Sequence, residues 1–102
     1  GSTAYAASKA GVVGLTRAMA MELRKERIAV NSVAPGFTDT AMTRAVSPEQ
    51  FAAYEALEPS GKAAQPAEIA NAIAFFASPR TSFVTGQTLF VDGGKSLGGL
   101  GL

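Results

Sequence analysis

Cysteine and histidine are both absent from this 102-residue sequence. Without cysteine there is no disulfide scaffold and no thiolate metal site, and without histidine the commonest metal ligand and the usual proton shuttle at neutral pH are missing. Neither Asp39 nor Asp92 has further candidate ligands clustered with it in the sequence. We therefore expect no metal site, and we expect any acid–base chemistry to use tyrosine, lysine, aspartate or glutamate.

Strong net charge and long apolar runs are also lacking. Charged residues make up 17% of the sequence and the net charge is +1, which leaves no electrostatic excess to attract nucleic acid or an anionic membrane. No apolar run approaches the ~20 residues that span a bilayer, and no basic region followed by an apolar one opens the sequence. Because 47% of the residues are hydrophobic, we expect a globular protein. Because the sequence shows neither a membrane anchor nor a signal peptide, we expect it to be cytoplasmic.

Hydrophobic spacing and turn residues divide the chain into helices and strands. Val12, Leu15, Met19 and Leu23 recur at helical spacing, and Ser2 or Thr3 can cap the start of that helix. The predicted order is a long helix over residues 4–25, a strand over 28–33, a loop over 37–46, a helix opening at 47–49, a helix over 65–78 and a strand over 87–91.

This order of elements predicts an α/β layer architecture. Two strands joined through a helix should be parallel. Parallel strands normally need both faces covered and neighbours on their edges, which two strands do not supply for each other. We therefore expect residues 1–102 to form a single incomplete α/β unit, whose sheet is completed by further sequence or by another subunit.

Tyr5 and Lys9 are the first pair of residues that could take part in acid–base chemistry. A separation of four residues places both on the same helix face, about one turn apart. A free tyrosine titrates near ~10, and a fixed positive charge nearby favours the phenolate. The alternative is that Tyr5 packs at the helix start while Lys9 points into water, since such pairs are common on helix surfaces.

Four motifs in register resemble the short-chain dehydrogenase/reductase family, in particular its 3-oxoacyl-carrier-protein-reductase-like members. They cover nearly the whole chain. They are Tyr5-Ala6-Ala7-Ser8-Lys9-Ala10-Gly11, the run from Arg27 to Gly36, Pro66-Ala67-Glu68-Ile69-Ala70, and the run from Phe83 to Gly94. The resemblance implies the C-terminal part of a Rossmann-like doubly wound parallel sheet, from an NAD(P)(H)-dependent oxidoreductase that interconverts a secondary alcohol and a ketone.

In that family the tyrosine of the first motif is the general acid/base. The resemblance implies that Tyr5 passes a proton to or from the oxygen of a small-molecule alcohol or ketone substrate. Lys9 would lower the pKa of Tyr5 and hydrogen-bond the nicotinamide ribose, so both residues would also belong to the cofactor site. The cofactor would be NAD or NADP, because the residues that select between them lie in a segment that this sequence does not contain.

The turn after the first strand would complete the nicotinamide side of the cofactor site. By the same resemblance Pro35, Gly36 and Phe37 would pack against the nicotinamide ring, the backbone of Thr38 would meet the carboxamide, and Thr40 would reach toward the pyrophosphate. Without the family match, Pro35-Gly36 is an ordinary turn.

The segment from Asp39 to Leu57 resembles the variable substrate lid of the family. Phe51, Tyr54 and Leu57 lie in its short helix, where they either contact substrate or fill the inner face of the helix. Helical spacing favours packing for all three.

The sequence departs from the family pattern in lacking the glycine-rich strand-turn-helix that receives the pyrophosphate, and in lacking the catalytic serine and the structural asparagine. We therefore expect weak or no cofactor binding by this chain alone. The alternative function is a catalytically inactive module for folding or oligomerisation. The resemblance implies a homo-oligomer formed through the long helix and the last strand, and Ala6, Ala10 and Gly14 give that helix a stripe of small residues.

Overall fold

A computed structural model describes residues 2–98, except for the side chains of Ser2 and Tyr5. The order of elements agrees with the sequence prediction. Short 3₁₀ turns, which the sequence did not predict, follow several of the elements. The main elements are helix α1 (Ser2–Leu23), strand β1 (Ser32–Pro35), helix α2 (Pro48–Ala56), helix α3 (Pro66–Ala77) and strand β2 (Thr88–Val91).

Strands β1 and β2 are neighbours in a two-stranded sheet. The Ser32 N–H donates to Gln87 O at 2.9 Å, and the Gly36 N–H donates to Val91 O at 3.0 Å. Because the donor and the acceptor both advance by four residues in the same direction, the strands are parallel, as the crossover through α3 requires. The α/β class predicted from the sequence is confirmed.

The chain divides into two compact units. One comprises Gly1–Val33 and Ile73–Leu89, and the other comprises Ala34–Ala72 and Phe90–Leu102. None of the helices among residues 2–98 combines the length and the apolar character required to cross a membrane.

In the first unit, α1 buries a different face from the one that hydrophobic spacing suggested. Thr16 and Ala20 are buried, whereas Leu15 is 59% exposed and Met19 is 40% exposed. Gly86 has a left-handed backbone with φ of 74°, and a side chain there would meet Cβ of Ala20 at 3.5 Å. The small side chain of Ala20 therefore allows the backbone at Gly86 to lie close to α1.

The predicted start of the first strand was wrong, because β1 begins at Ser32 and not at residue 28. Just before it, side-chain hydrogen bonds stand beside one backbone hydrogen bond, from the Gly86 N–H to Val30 O at 2.7 Å. The Val30 N–H donates to Thr85 Oγ1 at 3.0 Å. Asn31 donates through Nδ2 to Val84 O at 2.9 Å and accepts at Oδ1 from the Gln87 N–H at 3.0 Å. These side-chain bonds interrupt regular strand pairing, so β1 is shorter than the strand predicted over residues 28–33.

The ends of α1 also differ in detail from the prediction. Thr3 lies inside the helix, so it is not the N-cap residue. The basic residues Arg24 and Lys25 lie in a separate 3₁₀ turn, Arg24–Glu26, after the last residue of the helix. Arg27 then closes this turn in the left-handed region, with φ of 60° and its N–H bonded to Arg24 O at 3.1 Å.

In the second unit, α2 begins as its sequence predicts. Ser47 is the N-cap and accepts a hydrogen bond from the Gln50 N–H at 3.1 Å, and Pro48 occupies the first helical position. Phe51 is buried at 3% exposure and lies against the Phe37 ring, with 5.1 Å between ring centroids. The packing interpretation of Phe51 is thus supported, whereas Leu57 is 67% exposed and fills no core position.

The apolar core within residues 2–98 is small. Its buried hydrophobic residues are Ala20, Ala34, Phe51 and Ala72, so Phe51 is the one large member. Many large apolar side chains stay exposed, among them Ile73, which the spacing in α3 assigned to the buried stripe. A core of this size leaves most apolar faces of the chain open to further packing.

We expect Ser47→Ala to lower the free energy of unfolding by about 1 kcal/mol, because it removes the acceptor for an N-terminal amide of α2. Urea unfolding measures the change. Ser82→Ala, at an exposed turn serine, is the control and should change stability by less than about 0.5 kcal/mol. Equal effects from the two substitutions would contradict the capping role.

We also expect Asp92 to stabilise the fold in a pH-dependent way. Burial raises the pKa of its carboxyl, but hydrogen bonds from the Ser96 hydroxyl and from the Gly94 and Ser96 amides outweigh burial and lower the pKa below its ordinary value of 3.8. A lowered folded-state pKa gives stability that is present above the unfolded pKa and is lost as pH falls through the folded pKa.

The measurement is urea unfolding of the wild type and Asp92→Asn at several pH values from about 7 to about 3. The wild type should be the more stable protein at neutral pH, and the difference should shrink below about pH 4. A difference that is constant with pH would contradict a contribution from the ionised carboxylate.

Candidate active site

Tyr5 and Lys9 both lie in α1, and the helix places their Cα atoms one turn apart on the same face. Lys9 is half-buried, and the side chain of Tyr5 lies outside the described part of the structure. The two residues belong to the first unit, whereas Pro35 and residues 36–40 belong to the second. Their joint action in one site therefore remains a prediction.

Gly36 follows the last residue of β1, at a point where no side chain fits. A Cβ built on Gly36 would lie 2.9 Å from Asp92 Cα, closer than real Cβ contacts, and 3.0 Å from Asp92 Cβ. The Gly36 N–H is bonded to Val91 O, so the glycine continues the pairing with β2. Glycine is therefore required here by close packing, and the segment that follows starts from a fixed position. Pro35, before it, is the exposed last residue of the strand.

The backbone of Phe37 is held on both sides of the residue. Its N–H donates to Glu58 Oε1 at 3.2 Å, and its carbonyl accepts from the Ala64 N–H at 2.8 Å. The ring packs against Phe51 and, edge-on, against Tyr54 with 6.0 Å between centroids. Phe37 is thus fixed by both its backbone and its ring.

Three threonines organise the next residues. The Thr38 hydroxyl donates to Gly36 O at 2.9 Å, and the Thr43 hydroxyl donates to Thr38 O at 2.6 Å. The Thr40 N–H donates to Thr43 Oγ1 at 2.9 Å. Thr38 and Thr40 were candidates from the sequence, whereas Thr43, which joins them, was not, although the threonine-rich composition of residues 38–43 was a signal for it.

Asp39 and Arg44 form a bidentate ion pair. Arg44 donates through Nε to Asp39 Oδ1 at 2.8 Å and through a terminal nitrogen to Oδ2 at 2.9 Å. The hydrogen bond from Arg44 is the main reason that the pKa of Asp39 is lowered. The guanidinium also stacks on Phe51, with 3.8 Å from its central carbon to the ring centroid. This contact ties the segment after β1 to α2.

The two carboxylates considered above as metal ligands, Asp39 and Asp92, both have other partners. Asp39 is engaged by Arg44, and Asp92 accepts hydrogen bonds from the Gly94 and Ser96 amides. In the part of the chain that the structure describes, no three acidic side chains come together as metal ligands would.

A cleft of about 490 Å³ lies beside the Gly36–Phe37 segment. Gly36, Phe37, Glu58, Lys62, Val91 and Asp92 are among its lining residues. Most of its lining is backbone, small residues and polar or charged groups, and Phe37 and Val91 are its larger apolar members. Sequence reasoning did not single out Glu58, because nothing in its local pattern shows that its carboxylate is buried.

Known proteins match this chain over nearly the same residues as the four sequence motifs. The family model described as enoyl-(acyl carrier protein) reductase matches residues 1–96. The chain is 50% identical over 94 residues to 3-oxoacyl-(acyl-carrier-protein) reductase FabG of Vibrio cholerae serotype O1, and 48% identical over 94 residues to the protein of that name from Escherichia coli K12. Each alignment covers 92% of this chain and 38% of the relative.

A relative with a different printed function is also similar. The chain is 45% identical over 97 residues to (2S)-((R)-hydroxy(phenyl)methyl)succinyl-CoA dehydrogenase subunit BbsD of Thauera aromatica, an alignment that covers 95% of the chain and 39% of that protein. The chain thus spans about two fifths of the length of the curated relatives it matches. The match over residues 1–96 and these identities show that the chain belongs to the short-chain dehydrogenase/reductase family.

Proposed function

We propose that this chain forms the C-terminal part of an NAD(P)(H)-dependent oxidoreductase that interconverts a secondary alcohol and a ketone. The family match carries the proposal, because it spans residues 1–96, the range in which Tyr5, Lys9 and residues 35–40 lie. The relatives are named reductases and a dehydrogenase, and each name specifies an acyl thioester of a carrier protein or of coenzyme A. An acyl thioester with a keto or hydroxyl group is therefore the substrate class to test first.

In this proposal Tyr5 exchanges a proton with the substrate oxygen. A bound nicotinamide cofactor would supply or accept the hydride. A cation one helical turn away favours the phenolate, so Lys9 is expected to move the pKa of Tyr5 toward the range in which it exchanges a proton at neutral pH. Lys9 would also hydrogen-bond the nicotinamide ribose.

The segment after β1 has the properties that the nicotinamide side of such a site needs. Gly36 and Phe37 line an open cleft, and close packing against Asp92 holds Gly36 in place. Pro35, Gly36 and Phe37 would face the ring, the Thr38 backbone the carboxamide and Thr40 the pyrophosphate. Because the threonine hydrogen bonds hold this segment before a ligand arrives, little ordering cost would fall on cofactor binding.

We expect Tyr5→Phe in the full-length protein that contains this chain to lower kcat by about 10²- to 10⁴-fold, because it removes the exchangeable proton. The assay follows oxidation of NADPH and of NADH with a 3-oxoacyl thioester. Lys9→Met should lower kcat and also weaken dinucleotide binding, whereas the control Lys25→Met, in the 3₁₀ turn after α1, should leave both unchanged. Full turnover by Tyr5→Phe would refute the proposed role.

A second candidate function is association with another copy of the chain. The exposed apolar stripe of α1 favours it, since Val12, Leu15 and Met19 are 49%, 59% and 40% exposed. An isolated chain with this surface and a small core gains stability by covering the stripe. In this interpretation the 102-residue polypeptide is a catalytically inactive folding or oligomerisation module.

We expect the 102-residue chain to sediment as a species larger than a monomer, and Leu15→Glu with Met19→Glu to shift it toward the monomer. Met42→Glu introduces the same chemical change at an 85% exposed position of the second unit and should not alter the association. A wild-type chain that is folded and monomeric at all concentrations would rule out the stripe as an association surface.

A further inference from the structure

Glu58 is a buried acidic residue that the proposed chemistry does not use. It follows the C-cap residue of α2, and its side chain is only 4% exposed. Its backbone is held in a turn, because the Glu58 N–H donates to Glu55 O and the Glu58 carbonyl accepts from the Gly61 N–H. A buried carboxylate is costly unless it is both paired and hydrogen-bonded, so the groups that surround it indicate what it does.

Each carboxylate oxygen of Glu58 has its own partner. Oε2 accepts from Lys95 Nζ at 2.6 Å, and Oε1 accepts from the Phe37 N–H at 3.2 Å. Lys95 lies in the 3₁₀ turn Lys95–Leu97 and is 49% exposed. One carboxylate therefore joins three segments of the second unit: the end of α2, the residue after Gly36, and the turn that follows β2.

The Phe37 amide differs from the neighbouring amides in what holds it. The Gly36 N–H is bonded to Val91 O and the Asp39 N–H to Ala64 O, both of which are backbone acceptors. The Phe37 N–H is bonded to a side chain. A change at Glu58 can therefore release the peptide between Gly36 and Phe37 while the backbone pairing on either side of it persists.

We infer that Glu58, fixed by Lys95, is a positioning residue for the Gly36–Phe37 peptide and thereby for the nicotinamide ring. The inference rests on the proposed function, since it is that function which brings the ring to this peptide. Glu58 acts through Phe37, because its carboxylate sets the orientation of the Gly36–Phe37 peptide beside the cleft. Lys95 balances the negative charge of this buried carboxylate.

The test compares two double variants of the full-length protein that contains this chain. Glu58→Leu with Lys95→Met replaces the ion pair by apolar groups of similar size, a change that often leaves stability unaltered, and it removes the acceptor for the Phe37 amide. Glu58→Gln with Lys95→Met also removes the ion pair but keeps a side-chain oxygen at position 58. The two proteins differ in whether the Phe37 N–H has an acceptor.

We expect the leucine variant to exchange the Phe37 amide hydrogen about tenfold faster than the glutamine variant, measured by NMR, which corresponds to the loss of one hydrogen bond. With NADPH, NADH and a 3-oxoacyl thioester, the leucine variant should also show a KM for the dinucleotide raised about tenfold, with a smaller change in kcat. The glutamine variant should stay near wild type in both measurements. Lys25→Met, which removes an exposed cation in the 3₁₀ turn after α1, is the control for the loss of a positive charge and should leave both measurements unchanged.

Equal Phe37 exchange in the two double variants would overturn the inference, and so would faster exchange in the leucine variant with an unchanged dinucleotide KM. Failure of the proposed function would give a different result, because the wild-type protein would then oxidise neither NADPH nor NADH with any keto thioester. In that case the positioning role falls with the function, and the exchange measurement still shows whether Glu58 holds the Phe37 peptide.

Discussion

The parallel pairing of β1 with β2 is the constraint on which the rest of the structure depends. It pairs the Gly36 N–H with Val91 O and so brings the backbone of Asp92 so close to Gly36 that no Cβ fits between them. Residues 37–40 therefore leave the strand from a defined point. The ring packing of Phe37 and the threonine hydrogen bonds are local consequences of where the strand ends. The carboxyl ends of parallel strands are the usual place for ligands in α/β proteins, which agrees with the function proposed for this segment.

The second unit owes its order to polar contacts more than to apolar burial. Phe51 is the large side chain that it buries, and around it lie the Asp39–Arg44 pair, the Arg44 stacking contact and the Glu58–Lys95 pair. Directional contacts of this kind specify geometry better than they supply stability. Such a segment suits a site that must present a peptide and a ring in fixed orientation. Solvent screens the Asp39–Arg44 pair more than the pair at Glu58, because the Glu58 carboxylate is buried although Lys95 is half-exposed.

The small core has a further consequence for the chain as a unit. Parallel strands are stable when both faces are covered, and the exposed stripe of α1 and the exposed residues Leu89 and Phe90 of β2 are apolar surfaces of the kind that other sequence or another copy normally covers. The relatives are about two and a half times as long as the segment they share with this chain. An isolated chain would therefore gain more from association than a protein with a full core.

Local sequence determined which elements form. The Ser47-Pro48 cap started α2, Pro66 and Ser78-Pro79 bounded α3, and the Asp92-Gly93-Gly94 turn ended β2, because each depends on nearest neighbours along the chain. The motifs likewise determined the family. Only the tertiary structure decided that the Asn31 and Thr85 side chains supply hydrogen bonds at the start of the predicted strand, and that Thr16 and Ala20 are the buried face of α1. It also decided that the buried Glu58 carboxylate accepts from the Phe37 N–H. These features join residues 21 to 56 positions apart or depend on which helix face meets a neighbour, and neither hydrophobic period nor turn chemistry contains that information.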